Sequence, residues 1–206
     1  MRVSVVVADV GMEAASIRAM FAELAREDQP HTILVSAPAP IGLDDAFAQT
    51  EAARVDLLLV SAHGGYDWDR DDGWRLGPRP SSSDRFPARR IDELLDEGAF
   101  PGTMLLFACR YRSPRLRPEY DGSVAETSVR RVLAPGGSAH LVPHERGAYN
   151  AQARRISQNL VEGLRRAPAE ASPDELVTRA IAPVPVTRWW PPFLRLTSPP
   201  TPETDD

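Results

Sequence analysis

Cys109 is the only cysteine of the chain, and it closes the apolar run Met104-Leu105-Leu106-Phe107-Ala108. A second run, Leu57-Leu58-Leu59-Val60-Ser61-Ala62, closes on His63-Gly64-Gly65. Both runs read as buried strands, and open α/β sheets carry out their chemistry beyond the carboxyl ends of their strands. A thiol reacts as the thiolate, and a neighbouring imidazole can take its proton. One thiol and one imidazole at two strand ends therefore point to a Cys/His nucleophilic enzyme. Gly64, directly after His63, leaves its backbone N–H accessible as an oxyanion donor beside that of Cys109 itself.

Other groupings carry less chemistry. Cys109 and Arg115 have the Cys-x5-Arg spacing with which thiol phosphatases hold phosphate. The intervening Arg110-Tyr111-Arg112-Ser113-Pro114 contains no glycine to open a nest of N–H groups, and its proline has no N–H at all. His140 and His144 stand four apart, but Pro143 and a strand-and-turn pattern argue against a helical metal pair. His31 reads as a strand-start residue. Asp9, after the first strand, either caps the next helix or forms an acidic wall of a substrate pocket. Asp67, Asp69, Asp71 and Asp72 have the charge of a calcium loop without its glycine and its closing glutamate. Trp189 and Trp190 read as core or edge cover. No metal or cofactor is expected.

The elements that must position Cys109 and His63 follow from periodicity. Strands are expected over residues 2–8, 31–37, 56–62, 103–108 and 138–142. Helices are expected over 12–26, 43–53, 87–97, 124–133, 149–166 and 174–181. Long irregular stretches are expected over 64–86 and 110–121. Strands alternating with helices imply a mostly parallel sheet in a three-layer α/β/α sandwich. Residues 1–196 read as one domain and 197–206, rich in proline, threonine and acid, as a disordered tail.

Composition narrows the function classes. The 206 residues are 42% hydrophobic and 26% charged, as in an ordinary soluble domain. A net charge of −5 offers no nucleic-acid surface. All 24 basic residues are arginine, which reads as coding bias. A lone cysteine rules out an internal disulfide and suits a reducing compartment. Residues 1–10 lack the apolar core of a signal peptide, and no run approaches about 18 apolar residues. A cytoplasmic protein with no membrane contact is expected.

In this order of motifs the chain resembles the caspase-like cysteine peptidases, and within them the CHAT-domain branch. Phe107-Ala108-Cys109-Arg110 resembles the Ala-Cys-Arg signature of caspases, whose histidine lies about 50 residues upstream; here it lies 46 positions upstream, at His63. Ala62-His63-Gly64, then Leu105 to Cys109, then Ala134-Pro135-Gly136-Gly137-Ser138-Ala139, the helix 149–164 and Trp189-Trp190-Pro191-Pro192-Phe193-Leu194 follow the CHAT plan. The resemblance implies a caspase/hemoglobinase-like fold and a peptidase with Cys109 as nucleophile and His63 as general acid/base. It implies an oxyanion hole of Gly64 and Cys109 N–H groups, a protein substrate and a regulatory or sensor protein partner, as in bacterial defence modules. Phe107, Asp9 and Arg110 are the expected pocket residues. Phe107 departs from the small, polar or acidic residue many relatives carry there, so no strong preference for Arg or Lys at the cleaved bond is expected. A caspase-like scaffold that binds without cleaving is the alternative reading.

Overall fold

A computed structural model describes residues 1–8, 12–38, 41–66, 74–77, 88–108, 123–142, 149–185 and 193–198. In chain order the elements are β1 (Arg2–Val7), α1 (Met12–Leu24), β2 (Thr32–Val35), α2 (Leu43–Gln49), β3 (Leu57–Ser61), β4 (His63–Tyr66) and β5 (Trp74–Gly77). There follow α3 (Ile91–Leu94), β6 (Thr103–Phe107), α4 (Ser123–Val132), β7 (Ser138–Val142), α5 (Tyr149–Arg166), α6 (Pro173–Ile181) and β8 (Leu194–Thr197). Six strands form one sheet in the order β2-β1-β3-β6-β7-β8, parallel except for β8.

The pairing follows from burial on both faces. Every residue of β3, β6 and β7 is buried, so each strand must be covered above and below. Side-chain alternation splits the core accordingly. Val6, Val60, Leu106 and Leu141 pack with Phe47 of α2, Ile91 of α3 and Val129 and Val132 of α4. Val5, Leu59, Leu105 and Phe107 pack instead with Ile17 and Phe21 of α1, Leu160 of α5 and Val177 of α6. The sheet therefore lies between two helical layers, a three-layer α/β/α fold with a mostly parallel sheet. Because α1 and α2 cover opposite faces, the winding reverses between β1 and β3, the kind of place at which open α/β sheets hold ligands.

Several boundaries differ from the sequence expectation. The stretch 64–86 is not irregular throughout: β4 and β5 pair antiparallel, with Tyr66 opposite Trp74. Trp74 and Leu76 have no exposed surface and join the core beside α4. That burial anchors the hairpin, where alternation in the sequence gave no signal. The helix expected over 87–97 is a single turn, because Arg89 is drawn into a bridge with Leu76. Residues 197 and 198, expected in the tail, join the edge of the sheet. Thr197 ends β8, opposite Ser138, and the Ser198 N–H donates to the Gly137 carbonyl at 3.2 Å.

Among the described residues no helix is long and apolar enough to cross a membrane. Trp74→Ala should remove the anchor of the hairpin and cost about 3–5 kcal/mol. Urea unfolding measures this, and a loss below about 1 kcal/mol would show that the hairpin is held by something else.

Candidate active site

The site is built where β3 and β6 end. The two strands pair in parallel register, with Ser61 beside Phe107. Their last rung among the described residues is the Ala62 N–H donating to the Phe107 carbonyl at 3.1 Å. His63 comes one residue later, half-buried, at the first position of β4. On the other strand Ala108 is buried at 3% exposure and directly precedes Cys109 in the chain. Neighbouring strands run about 4.8 Å apart, so the two expected reactive positions follow strand ends that touch. Cys109, Arg110 and Arg115 themselves lie outside the described residues. So do Asp9, the aspartates between 67 and 72, His144, Trp189 and Trp190.

The direction of the Gly64 N–H follows from the hydrogen-bond phase of the hairpin. Leu76 donates its N–H to the Arg89 carbonyl and accepts from the Arg89 N–H, both at 2.7 Å. Its backbone groups thus face away from β4. Gly64 stands opposite Leu76. Residue pairs in an antiparallel ladder alternate between bonded and non-bonded, so the bonded pairs are His63 with Gly77 and Gly65 with Arg75. Gly64 therefore turns its N–H and C=O away from β5.

Phe107 requires a correction. It was expected to wall the pocket, yet it has no exposed surface and packs with Leu105, Val142 and the residues of α1 and α5. Its side chain belongs to the core beneath the end of β6. The same end of the sheet holds a residue that the motifs did not single out. The Nη2 of Arg18 on α1 donates to the Val7 carbonyl at 2.7 Å, at the carboxyl end of β1. Its Nε is buried and has no hydrogen-bond partner among the described residues, and burial pulls the pKa of the guanidinium down. Its position one residue after the buried Ile17 was the available signal.

A second polar cluster lies at the opposite, amino end of the sheet. Asp174, in the first turn of α6, accepts from Arg195 Nη2 at 2.8 Å and Nε at 3.2 Å. It also accepts from Ser138 Oγ at 2.8 Å and bonds His140 Nε2 at 2.9 Å. The Ser138 hydroxyl meets that of Thr103 at 3.1 Å. A surface cavity of about 480 Å³ opens here, lined in part by Thr103, Ser138, Asp174 and Arg195. Burial pushes the His140 pKa below its ordinary 6.5 and outweighs the pull of Asp174, so at neutral pH the pair is a hydrogen bond. Burial works to raise the Asp174 carboxyl, but the bonds from Arg195, His140 and Ser138 together hold it at about 2. His31, the remaining described histidine, is buried at the start of β2 with Nε2 3.2 Å from the Leu164 carbonyl. No group of three or more His, Cys, Asp or Glu fit to hold a metal occurs among the described residues.

Compared with protein-family models and with curated proteins, the chain matches none.

Asp174 and His140 are both held below their ordinary values, so the unfolded chain binds more protons than the folded one. Their stabilisation is complete above pH 6.5. The His140 share is lost as pH falls from there, and the Asp174 share between about pH 4 and 2. Asp174→Asn should cost about 1–2 kcal/mol at pH 7 and flatten the loss between pH 4 and 2. Urea unfolding across that range checks it; a variant that tracks the parent at every pH would contradict the assignment.

Proposed function

We infer that this chain is a cysteine peptidase of the caspase-like, CHAT-like type, with Cys109 as nucleophile and His63 as general acid/base. The observation that carries this reading is the rung from the Ala62 N–H to the Phe107 carbonyl, at 3.1 Å. It joins the two strand ends from which the only cysteine and a histidine follow. The three-layer fold with its mostly parallel sheet supports it, as does the direction of the Gly64 N–H.

In the proposed reaction the Cys109 thiolate attacks the carbonyl carbon of a peptide bond. The oxygen gathers negative charge, which the N–H groups of Gly64 and Cys109 receive. His63 gives a proton to the leaving amine as the C–N bond breaks, and an acyl-enzyme remains. His63 then takes a proton from water, whose oxygen attacks the thioester and releases the acid and the Cys109 thiolate, with the proton left on His63. The substrate is a protein or peptide. A sensor or regulatory protein as activator, a place in a bacterial defence module and a cytoplasmic location belong to the same reading and rest on the resemblance.

A small thiol-directed electrophile should label Cys109 of the intact protein, and His63→Ala should slow that labelling at least about tenfold near neutral pH. Cys109→Ala should abolish peptide cleavage and leave the melting temperature nearly unchanged. Cleavage that survives in purified Cys109→Ala would overturn the assignment. A labelling rate indifferent to His63→Ala would remove His63 from it.

A further inference from the structure

We propose that a second copy of this chain adds to the outer edge of β2, the two β2 strands pairing antiparallel across a two-fold axis at Leu34. The pairing stands apart from the peptidase reading, since none of the residues at the His63 rim takes part.

β2 ends the sheet, with β1 as its only strand neighbour among the described residues. The Thr32 N–H donates to the Met1 carbonyl at 3.0 Å, and the Ser36 N–H to the Val5 carbonyl at 2.9 Å. In a parallel ladder residues of one parity face the partner strand, so His31, Ile33, Val35 and Ala37 turn their backbone groups outward. Both ends of this outward row are capped by side chains. Gln29 accepts from the His31 N–H at 2.7 Å and donates to the His31 carbonyl at 2.5 Å. Gln49 Oε1 accepts from the Ala37 N–H at 3.0 Å. Between the caps, Ile33 and Val35 leave two N–H and two C=O groups without a partner among the described residues. A strand with two outward residues fills that gap, and β2 is itself such a strand. In an antiparallel pair Ile33 exchanges both bonds with Val35 of the second copy, and Val35 with its Ile33. The two Leu34 residues then face each other at the axis, and every open group is satisfied. A longer strand would run its ends into the glutamine caps.

The side chains suit the same occupant. Natural sheet edges are commonly shielded by charge or proline. The opposite edge, β8, carries Arg195 and has prolines on both sides in the chain. Residues 31–37 hold no Asp, Glu, Arg or Pro. Ile33, Leu34 and Val35 are apolar yet only half-buried, and Ile33 and Val35 lie against the α1 layer of the core. On α1, Ile17, Phe21 and Leu24 face that core, and Glu27, just past the helix, reaches Arg165 of α5. The flank turned away from α5 presents Ala15, exposed, and Ala22, half-buried. A two-fold axis normal to the sheet keeps both α1 helices on one face, and alanine permits a close approach of about 8 Å. Antiparallel pairing also points the two His63 rims in opposite directions, so neither copy covers the other's site. Strand and flank supply about ten residues a side, roughly half of a standard interface, so the dimer is reversible, with a dissociation constant on the order of 10 μM.

Sedimentation velocity of the full chain, from about 1 to about 300 μM, should show monomer passing to dimer. Residue-resolved amide exchange at the two ends of that range should find Ile33 and Val35 protected only in the dimer. The His31 amide, bonded to Gln29, should be protected in both. Val35→Pro removes an N–H that the monomer does not use, and should weaken the dimer at least about tenfold while the monomer keeps its far-ultraviolet spectrum. Ala22→Glu, at a half-buried helix position, brings like charges together across the axis and should weaken the dimer as well. If Val35→Pro does not fold, Ala22→Glu and the exchange pattern decide. A chain that stays monomeric up to about 300 μM overturns the proposal. So does a dimer in which the Ile33 and Val35 amides still exchange freely, which would place the contact on another face, such as the edge of β8. Protection of both amides in the dilute monomer overturns it too, because the chain would then cover its own edge.

Discussion

The parallel pairing of β3 with β6 is the constraint on which the rest depends. Both strands are buried on both faces, so a slip of one residue would exchange the two sets of core side chains and lose both. Register is therefore fixed, and with it the height at which each strand ends. The strand ends that precede His63 and Cys109 in the chain are held in place by Leu58, Val60, Met104 and Leu106, all buried in the core. The hairpin β4–β5 then takes its direction from two further core residues, Trp74 and Leu76. The burial of an indole thus aims a glycine N–H several residues away.

The fold was readable because its central strands are continuous apolar runs of the right length, bounded by glycine, proline and charge. The amphipathic spacing of Ile156, Leu160, Val161 and Leu164 made α5 equally plain. The hairpin was hidden for a physical reason. Gly64 and Gly65 have weak strand propensity, and the residues that hold the hairpin lie across the core from it. β8 was obscured because prolines crowd it on both sides, and its pairing with β7 depends on the distant Ser138 to Leu141.

At the site, the two strand ends that precede His63 and Cys109 could be read from the chain alone. The role of Phe107 could not, since a strand covered on both sides buries odd and even positions alike. Leu105 already marks the face that Phe107 shares. The cluster around Asp174 was out of reach for another reason. Its members come from β7, α6 and β8, and no local pattern relates His140 to a carboxylate 34 residues on. Such networks become visible only once the layers are stacked.

The reversed direction of β8 has a practical consequence. A sixth parallel strand would deliver the chain to the rim that bears His63. β8 instead runs back, so that Ser198 sits at the floor of the sheet, where its hydroxyl accepts from the Gly136 N–H at 3.2 Å. Ser198 therefore lies at the opposite end of the sheet from His63. A reporter or surface that must stay clear of the rim bearing His63 is best attached near Ser198.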